Sequence, residues 1–508
     1  MEKYSIENYI FDIDKYGLKK TWHTILSNTL DNNFDSDIFK IDNYGELYEI
    51  GLEHVNKISK KEMGKYYTPK DVSEVMSKWL VQLKGKNVCD VGCGVGNLIL
   101  TYLEAIGENN TLELLNNKRI YLYDIDEVAL EICKFSIAIK YGKEYLKNIN
   151  VKKCDFLDKN VKLPKNSKII SNPPYHKIME YSDKYNITKV MKDSKELYSS
   201  FMEKIIKQSV SSVIITPYSF IGGSKFYSLR KVMNNYNGFI LSFDNVPGNI
   251  FNGKKHGIFN TNNCNSVRAA ITVVENKENI KGFRVSPLIR FKNDERNKML
   301  NNDFLYSLIN DRYQIIDNNN KLYYKCNIDL LGVFDIWKNK SKKKMSSIIS
   351  KKGKEIYLPT TCRYFTVASL RKLSRDGKRI IKINDETIYD YIYCMMNSTF
   401  AYWYWRIYDG GINCPLTILN SIPVFLDLFN KKQIEELHLI AKEMQENENK
   451  YLVYKMNAGK KQENIKFPKI YRNKINKLFF EVLGIDENIS VLDKIHSSSL
   501  FEKGDENE

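Results

Sequence analysis

Strand-like and helix-like stretches alternate between residues 86 and 274, and this alternation restricts the fold more than any other feature of the chain. Such an order is typical of a parallel, doubly wound α/β sheet with helices on both faces. Seven strands are predicted, at 87–92, 119–124, 150–155, 167–171, 211–216, 238–243 and 266–274. The last strand follows without an intervening helix of comparable length, so we expect it to run antiparallel.

The overall composition indicates the kind of partner to expect. The chain has 508 residues, which exceeds one ordinary domain. Its net charge of +17 is typical of a protein that binds a polyanion, and nucleic acid is the leading candidate. The alternative is a general enrichment in lysine and asparagine. The nine cysteines form no C-x-x-C pair, and no signal peptide or long apolar segment is present, so we expect a cytoplasmic protein with no membrane partner.

The alternating region lies within one of four segments into which we divide the chain. We predict an N-terminal helical segment at 1–60, a sheet domain at 61–278, a basic mixed α/β domain at 279–425, and a C-terminal helical segment with a polar tail at 426–508. A helix is predicted at 69–83, with Thr68 as its N-cap and Asp71 as the capping-box partner. The aromatic run at 389–411 is expected to lie mostly in a core.

Glycines and acids follow the first three predicted strands. Asp90, Gly92 and Gly94 lie at the first strand end, where glycines let the backbone approach a ligand closely. The spacing is G-x-G-x-G, and an acid here suits a cofactor that carries an ammonium or amide group better than a pyrophosphate. Asp124 and Asp155 end the next two strands. Each acid alone is as well explained by a helix cap or a solvated turn, but three in succession favour a cofactor site.

The fourth predicted strand ends at Asn172, which is followed by Pro173, Pro174 and Tyr175. Proline cannot donate to a sheet ladder, so the strand must stop there. The Asn172 side-chain oxygen and the Pro173 carbonyl are two acceptors that can receive both N–H bonds of an aromatic exocyclic amine. Such a grip would free the lone pair of the nitrogen, and Tyr175 offers a ring on which the base can stack.

Five segments together carry a family resemblance. In order, "YYTP", "DVGCGVGN", "YDID", "CDFL" and "NPPY" resemble the gamma group of adenine-N6 DNA methyltransferases of bacterial restriction–modification systems. The resemblance covers roughly residues 45–275. It implies a Rossmann-like methyltransferase sheet of seven strands and transfer of a methyl group from S-adenosylmethionine to the N6 amine of an adenine flipped out of double-stranded DNA. It implies no metal and no covalent enzyme intermediate.

The resemblance also assigns roles to individual residues. The cofactor site would comprise Tyr67, Thr68, Asp90, Gly92, Gly94, Asp124, Ile125, Asp155, Phe156 and Asn172. Within it, Asp124 would bind the ribose, and Ile125 and Phe156 would flank the adenine ring that Asp155 hydrogen-bonds. The catalytic motif would be Asn172, Pro173, Pro174 and Tyr175. The flipped base would stack between Tyr175 and Phe251, with Phe259 as the other candidate for the second ring.

The basic region after the sheet is expected to read the DNA sequence. Arg363, Arg371 and Arg375 are the candidate DNA-binding residues. The resemblance also leaves room for a separately encoded cognate restriction endonuclease as a partner. Two alternatives stay open: a modification subunit that needs a separate specificity protein, and an RNA-adenine or protein-glutamine N-methyltransferase that uses the same motif. The large basic domain argues against the second alternative.

Overall fold

The computed structural model describes residues 68–251, 267–363, 365–457, 459–486 and 489–502. The predictions for Tyr67, Phe259 and the helical segment at 1–60 lie outside these residues. The chain divides into two compact units. Unit 1 comprises residues 1–286 and 291–323, and unit 2 comprises residues 287–290 and 324–508. No helix in the described ranges is long and apolar enough to cross a membrane.

A large, mostly parallel sheet forms the centre of unit 1. Its strands are β1 Asn87–Val91, β2 Ile120–Asp124, β3 Asn150–Lys153, β4 Ser167–Ser171, β5 Ser211–Pro217, β6 Asn237–Phe243, β7 Ala269–Val274 and β8 Gly282–Ile289. They lie in the order β3-β2-β1-β4-β5-β7-β6-β8. The first five strands pair in parallel, and β7 runs antiparallel between β5 and β6. The α/β fold class and the antiparallel last strand are therefore confirmed.

The strand count differs from the prediction, because the sheet has eight strands and seven were expected. The missed strand is β8, which lies at one edge of the sheet. Arg284 and Pro287 interrupt its apolar pattern. Proline is tolerated at a sheet edge because an edge strand need not donate every N–H to a neighbour. The unit that holds the sheet extends to Tyr323, and the target-recognition role of the residues after 278 stays a prediction.

Helices cover the sheet of unit 1. They are α1 Lys70–Gln82, α2 Asn97–Ile106, α3 Glu108–Asn116, α4 Glu127–Tyr141, α5 Lys189–Ser194, α6 Leu197–Gln208, α7 Tyr227–Met233, α8 Arg296–Met299 and α9 Asn302–Ser307. Two helices, α2 and α3, connect β1 to β2, which explains the long stretch between the glycine turn and the second strand. Strands β4, β6, β7 and β8 are buried along their full length, so the core of unit 1 lies on both faces of the sheet.

The start of α1 corrects one detail of the prediction. The helix begins at Lys70 after Pro69, and no side chain caps its N-terminus. Thr68 instead accepts a hydrogen bond from Asn172, and Asp71 binds Arg296. Both side chains have tertiary partners, and these partners replace the local capping box that the sequence favours.

Unit 2 is a mixed α/β unit built around an aromatic core. Its helices are α10 Leu331–Lys340, α11 Glu386–Asn397, α12 Thr399–Tyr408, α13 Leu416–Ser421, α14 Lys431–Asn447, α15 Lys469–Leu483 and α16 Ile489–Asp493. Its strands are β9 Lys343–Lys344, β10 Lys354–Pro359, β11 Lys378–Ile383, β12 Pro423–Val424, β13 Leu452–Asn457 and β14 Lys460–Ile465. Most aromatic side chains of α11 and α12 are buried, as predicted, and Trp337 stacks on Trp403.

Candidate active site

The glycine turn follows β1 and leads into α2. Gly92 and Gly96 both have positive φ, and a Cβ atom on Gly96 would lie 2.4 Å from Sγ of Cys133. A larger residue there would have to displace the Cys133 side chain on α4. The Gly94 N–H donates to Oδ2 of Asp124 at 2.8 Å. The turn is therefore tied to the end of β2, and two of the predicted cofactor-binding segments lie together.

Asp90 is fully buried under this turn. Its Oδ2 accepts a hydrogen bond from the Ile99 N–H at 3.1 Å. Its Oδ1 is buried and has no hydrogen-bond partner among the described residues. Burial raises the pKa of the Asp90 carboxyl to about 8, the Ile99 N–H opposes this, and Asp124 adds a smaller repulsion. A buried acid with an unsatisfied oxygen is stabilised by a cation or donor beside it, so this site fits a ligand with an ammonium group.

The end of β2 presents an acid and an apolar side chain. Asp124 accepts hydrogen bonds from the backbone N–H groups of Gly94 at 2.8 Å and Asp126 at 2.9 Å. The side chain of Ile125 is 68% exposed. Oδ2 accepts the Gly94 bond and Oδ1 the Asp126 bond, so backbone N–H groups hold both oxygens of this carboxylate in place at the strand end. The exposed Ile125 has the shape and polarity to cover a flat ring.

The end of β3 is more enclosed. Asp155 accepts from the Leu157 N–H at 3.0 Å and from the Tyr185 hydroxyl at 2.6 Å. Phe156 is buried in the core, where its ring packs 5.1 Å from that of Phe201. Of the two side chains predicted to flank the adenine, Ile125 is therefore the exposed one. The Tyr185 contact was missed, because thirty residues separate it from Asp155 and no local pattern marks it.

The NPPY turn lies beside the glycine turn because β4 and β1 are neighbouring parallel strands. Ser171, the last residue of β4, donates its hydroxyl to the Val91 carbonyl at 2.6 Å. The Asn172 amide nitrogen donates to the Thr68 hydroxyl oxygen at 3.0 Å. In this arrangement the amide nitrogen lies toward Thr68 and the amide oxygen lies at the other end. A Cβ atom on Gly92 would lie 3.7 Å from the Asn172 carbonyl oxygen, so the two turns are in close contact.

The two aromatic rings predicted to hold a base are adjacent. The ring centroids of Tyr175 and Phe251 are 6.3 Å apart with an interplanar angle of 68°. The Tyr175 hydroxyl donates to the Ile215 carbonyl at 3.3 Å. A base stacked between two rings needs those rings to be parallel and about 6.8 Å apart, which is one stacking distance on each side. The rings must therefore rotate before a base can enter between them.

Arg296 is a buried residue that sequence reasoning missed. Its guanidinium pairs with the Asp71 carboxylate through Nε and Nη2, the latter at 2.9 Å. It also donates to the carbonyl oxygens of Asn249 at 2.9 Å and Ile250 at 2.7 Å. Phe251 follows these two residues directly. Arg296 thus connects α1, which begins next to Thr68, to the segment that carries Phe251.

The three arginines predicted to bind DNA lie in unit 2. Arg371 pairs with Glu463 at 3.0 Å, and Arg375 donates to the side chain of Asn464. Burial lowers the pKa of the Arg375 guanidinium. The Arg363 carbonyl accepts from Tyr402 at 3.1 Å. The first two guanidinium groups thus have partners on β14, and a base contact would have to compete with them. Their DNA-binding role stays a prediction.

A doubly wound α/β sheet with an NPPY turn beside the glycine turn, at the carboxyl ends of its parallel strands, is the arrangement of a methyltransferase. The family model for N-6 DNA methylases matches residues 39–302, which is more than half of the chain. The chain belongs to that family.

Curated relatives are similar over parts of the chain. The type II methyltransferase M.VspI of Vibrio sp. (strain 343) is 26% identical over 41% of this chain and 50% of its own length. The type I restriction enzyme MpnII methylase subunit of Mycoplasma pneumoniae is 27% identical over 27% of this chain and 26% of its own. This chain thus spans half or less of these relatives.

Among solved structures, the match to a chain of the DrdV–DNA complex covers 82% of this chain and 60% of the matched chain, with 12% identity and a TM-score of 0.47.

Proposed function

We propose that the protein is a site-specific DNA methyltransferase that transfers a methyl group from S-adenosylmethionine to the N6 amine of an adenine flipped out of double-stranded DNA. One observation carries the proposal: Asn172, at the buried end of β4, is oriented by its 3.0 Å hydrogen bond to Thr68 and lies against the glycine turn. Activation of a planar amine requires an acceptor that is held in place beside the cofactor, and Asn172 next to the glycine turn meets this requirement.

The proposed chemistry rests on two acceptors held in place. The Asn172 oxygen and the Pro173 carbonyl each accept one N–H of the target amine, which shifts the nitrogen toward tetrahedral geometry. The fixed φ angles of Pro173 and Pro174 restrict the backbone that carries the Pro173 carbonyl, and the hydrogen bond to Thr68 restrains the Asn172 amide. S-adenosylmethionine supplies an electrophilic methyl group on a positively charged sulfur. The positive charge passes with the methyl group from the sulfur to the amine nitrogen, which then releases one proton to solvent, so the protein needs to hold the amine in line and does not need a metal.

The cofactor is proposed to lie along the ends of β1, β2 and β3. The buried Oδ1 of Asp90 accepts from the ammonium group of the cofactor. Asp124 accepts from the ribose hydroxyls. The exposed Ile125 covers the adenine ring. Asp155, whose carboxylate accepts a hydrogen bond from the Tyr185 hydroxyl, accepts from the amine of the cofactor's adenine.

Double-stranded DNA is the proposed substrate, and a separately encoded restriction endonuclease is the proposed partner of such an enzyme. Access to the amine requires that the base leave the stack, at a cost of a few kcal/mol, and rest between Tyr175 and Phe251. Their 6.3 Å separation supports the pairing, and their steep angle indicates a ring rotation on base entry.

A second candidate is a modification subunit that recognises DNA only with a separate specificity protein. Two observations favour considering it. One curated relative is named as a type I methylase subunit, and Arg371 and Arg375 both have intramolecular partners on β14. The two candidates share the catalytic chemistry and differ in what reads the sequence.

The test uses the purified full chain, labelled S-adenosylmethionine and duplex DNA, followed by sequencing of the methylated sites. We expect N6-methyladenine at one defined sequence. Asn172→Ala should reduce transfer by about 10²-fold or more, since a preorganised polar group is lost, while cofactor binding stays measurable by calorimetry. Asn117→Ala is the matched control, because this exposed amide donates to the Glu113 carbonyl at the end of α3, on the helical crossover.

Three results would decide between the candidates. Full turnover by Asn172→Ala would refute the mechanism. Transfer to DNA only after a specificity protein is added would favour the subunit reading. Transfer to RNA or to a glutamine peptide, with none to DNA, would reject both.

A further inference from the structure

The segment that follows the catalytic turn carries an unusual apolar apex. We call residues 178–185 the apex loop. Met179 is 86% exposed, which is the highest value among the large apolar side chains of the described residues. Tyr181, two residues further, is 40% exposed. Single exposed apolar residues are common, but two on one short loop beside a reaction site indicate a surface that becomes covered.

Both ends of the apex loop are fixed to unit 1. Ile178 is buried, and its N–H donates to the Lys195 carbonyl at 2.9 Å. Tyr185 donates its hydroxyl to Asp155 at 2.6 Å. The loop therefore leaves from the catalytic turn and returns to the proposed adenine pocket. Met179 is four residues from Tyr175, so its Cα lies within about 14 Å of the tyrosine that would stack on the target base.

Charge does not explain the apex loop. Lys184 is outweighed by Glu180 and Asp183, so the loop has a net charge of −1 and is not a cationic contact for phosphates. Its distinguishing property is apolar surface. Methionine is unbranched and adapts to irregular spaces, and tyrosine presents a flat ring.

A flipped base leaves a matching space in the DNA. When an adenine leaves the stack, its neighbours are separated by about 6.8 Å, which is two stacking intervals. Apolar side chains, methionine among them, insert between base steps in other protein–DNA complexes and replace part of the lost stacking. The segment that holds the flipped base is continuous with the apex loop, so the space opens next to the loop.

We propose that Met179, with Tyr181 beside it, enters the space in the duplex that the target adenine vacates. This proposal rests on the proposed function and adds the residues that stabilise the flipped state. The apex loop then acts on the equilibrium between stacked and flipped adenine. It does not act on the transfer step itself.

The test compares Met179→Ala, Tyr181→Ala and the double variant on two substrates. One duplex has the target adenine normally paired, and the other has it opposite a mismatched base, which lowers the cost of flipping. We expect the double variant to lose about tenfold to a hundredfold in kcat/KM on the paired duplex. On the mismatched duplex it should stay within about threefold of the wild type, because little flipping energy remains to be supplied.

A control and a direct signal accompany the kinetics. Leu439→Ala removes a side chain of similar exposure, 68%, from α14 of unit 2 and should leave both substrates unchanged. With 2-aminopurine at the target position, the fluorescence increase on binding should be smaller for the double variant than for the wild type. The melting temperature should be the same for all variants, since the replaced side chains are exposed.

Equal losses on the paired and mismatched duplexes would overturn the proposal and indicate a role in transfer. Unchanged activity of the double variant on the paired duplex would also overturn the proposal. It would indicate that the apex loop contacts a protein partner instead of DNA. Failure of the proposed function gives a different result, because the wild-type chain itself would then methylate neither duplex.

Discussion

Replacing Arg296 with methionine removes the buried connection between α1 and the segment that carries Phe251. Methionine preserves most of the apolar stem and deletes the guanidinium. The deletion leaves the Asp71 carboxylate and the carbonyl oxygens of Asn249 and Ile250 without this donor. We expect lower stability of unit 1 and slower methyl transfer, because the segment beside Thr68 and the segment that carries Phe251 lose their link.

The expected size follows from the geometry. Removing one partner of a buried, hydrogen-bonded ion pair costs about 3–5 kcal/mol. The Asp71 side chain is 27% exposed, and water can partly replace the lost donor, so the lower end, about 3 kcal/mol, applies. Unit 1 comprises residues 1–286 and 291–323, and for a unit of this size that corresponds to a drop of about 4–5 °C in melting temperature.

The assay combines three measurements. A thermal scan gives the melting temperature, and hydrogen–deuterium exchange of peptides that cover 70–82 and 245–251 gives the local effect. Kinetics with saturating cofactor should show reduced kcat with nearly unchanged cofactor affinity. Arg296→Lys should recover part of the stability, since lysine keeps the charge but cannot form the forked contact.

Arg119→Met is the matched control. Arg119 lies 3.7 Å from Glu113 with both side chains exposed, and such a surface pair contributes less than about 1 kcal/mol. If Arg296→Met melts within about 1 °C of the wild type and exchange at 245–251 is unchanged, the reasoning about this connection is wrong.

Four further measurements test the site. Thr68→Val should lower kcat about tenfold, because the Asn172 amide loses its orienting acceptor; an unchanged kcat would contradict this role. Tyr185→Phe should weaken cofactor binding several-fold in calorimetric titration, because it removes the 2.6 Å hydrogen bond to Asp155. Burial raises the pKa of Asp90 to about 8, so a cationic cofactor should bind with proton release near pH 7, and affinity should rise with pH up to about 8. Asp90→Asn should abolish that pH dependence, and calorimetry in buffers of different ionisation heat measures the proton. DNA affinity should fall steeply as salt rises, because phosphate neutralisation releases counterions, and filter binding across salt concentrations measures the slope.

Local patterns accounted for the sheet and its strand-end motifs. Apolar runs of five to seven residues, each closed by glycine, acid or proline, predicted seven of the eight strands at nearly their observed bounds. The proline pair after Asn172 correctly marked the end of β4. These features depend on backbone restrictions of a few consecutive residues, so they can be read without knowledge of distant contacts.

Several contacts of the site could not be predicted because their partners are far apart along the chain. Asp71 and Arg296 are separated by 225 residues, and Asn172 and Thr68 by 104. A capping box was the natural local expectation at Thr68 and Asp71, and tertiary hydrogen bonds replaced it. The burial of Phe156 against Phe201, 45 residues further along the chain, also depends on a distant contact, and its role beside the adenine stays a prediction.

The α/β class and the order of the strand-end motifs could be predicted from local patterns alone, as could a proline-braced amide next to a glycine turn. The partner of that amide, the exposure of Ile125 in contrast to Phe156, and the exposure of Met179 and Tyr181 became known only from the folded structure. The difference comes from how far apart along the chain the interacting residues lie. Backbone geometry and periodicity act over a few residues, whereas burial and buried hydrogen bonds arise only after segments a hundred or more residues apart come into contact.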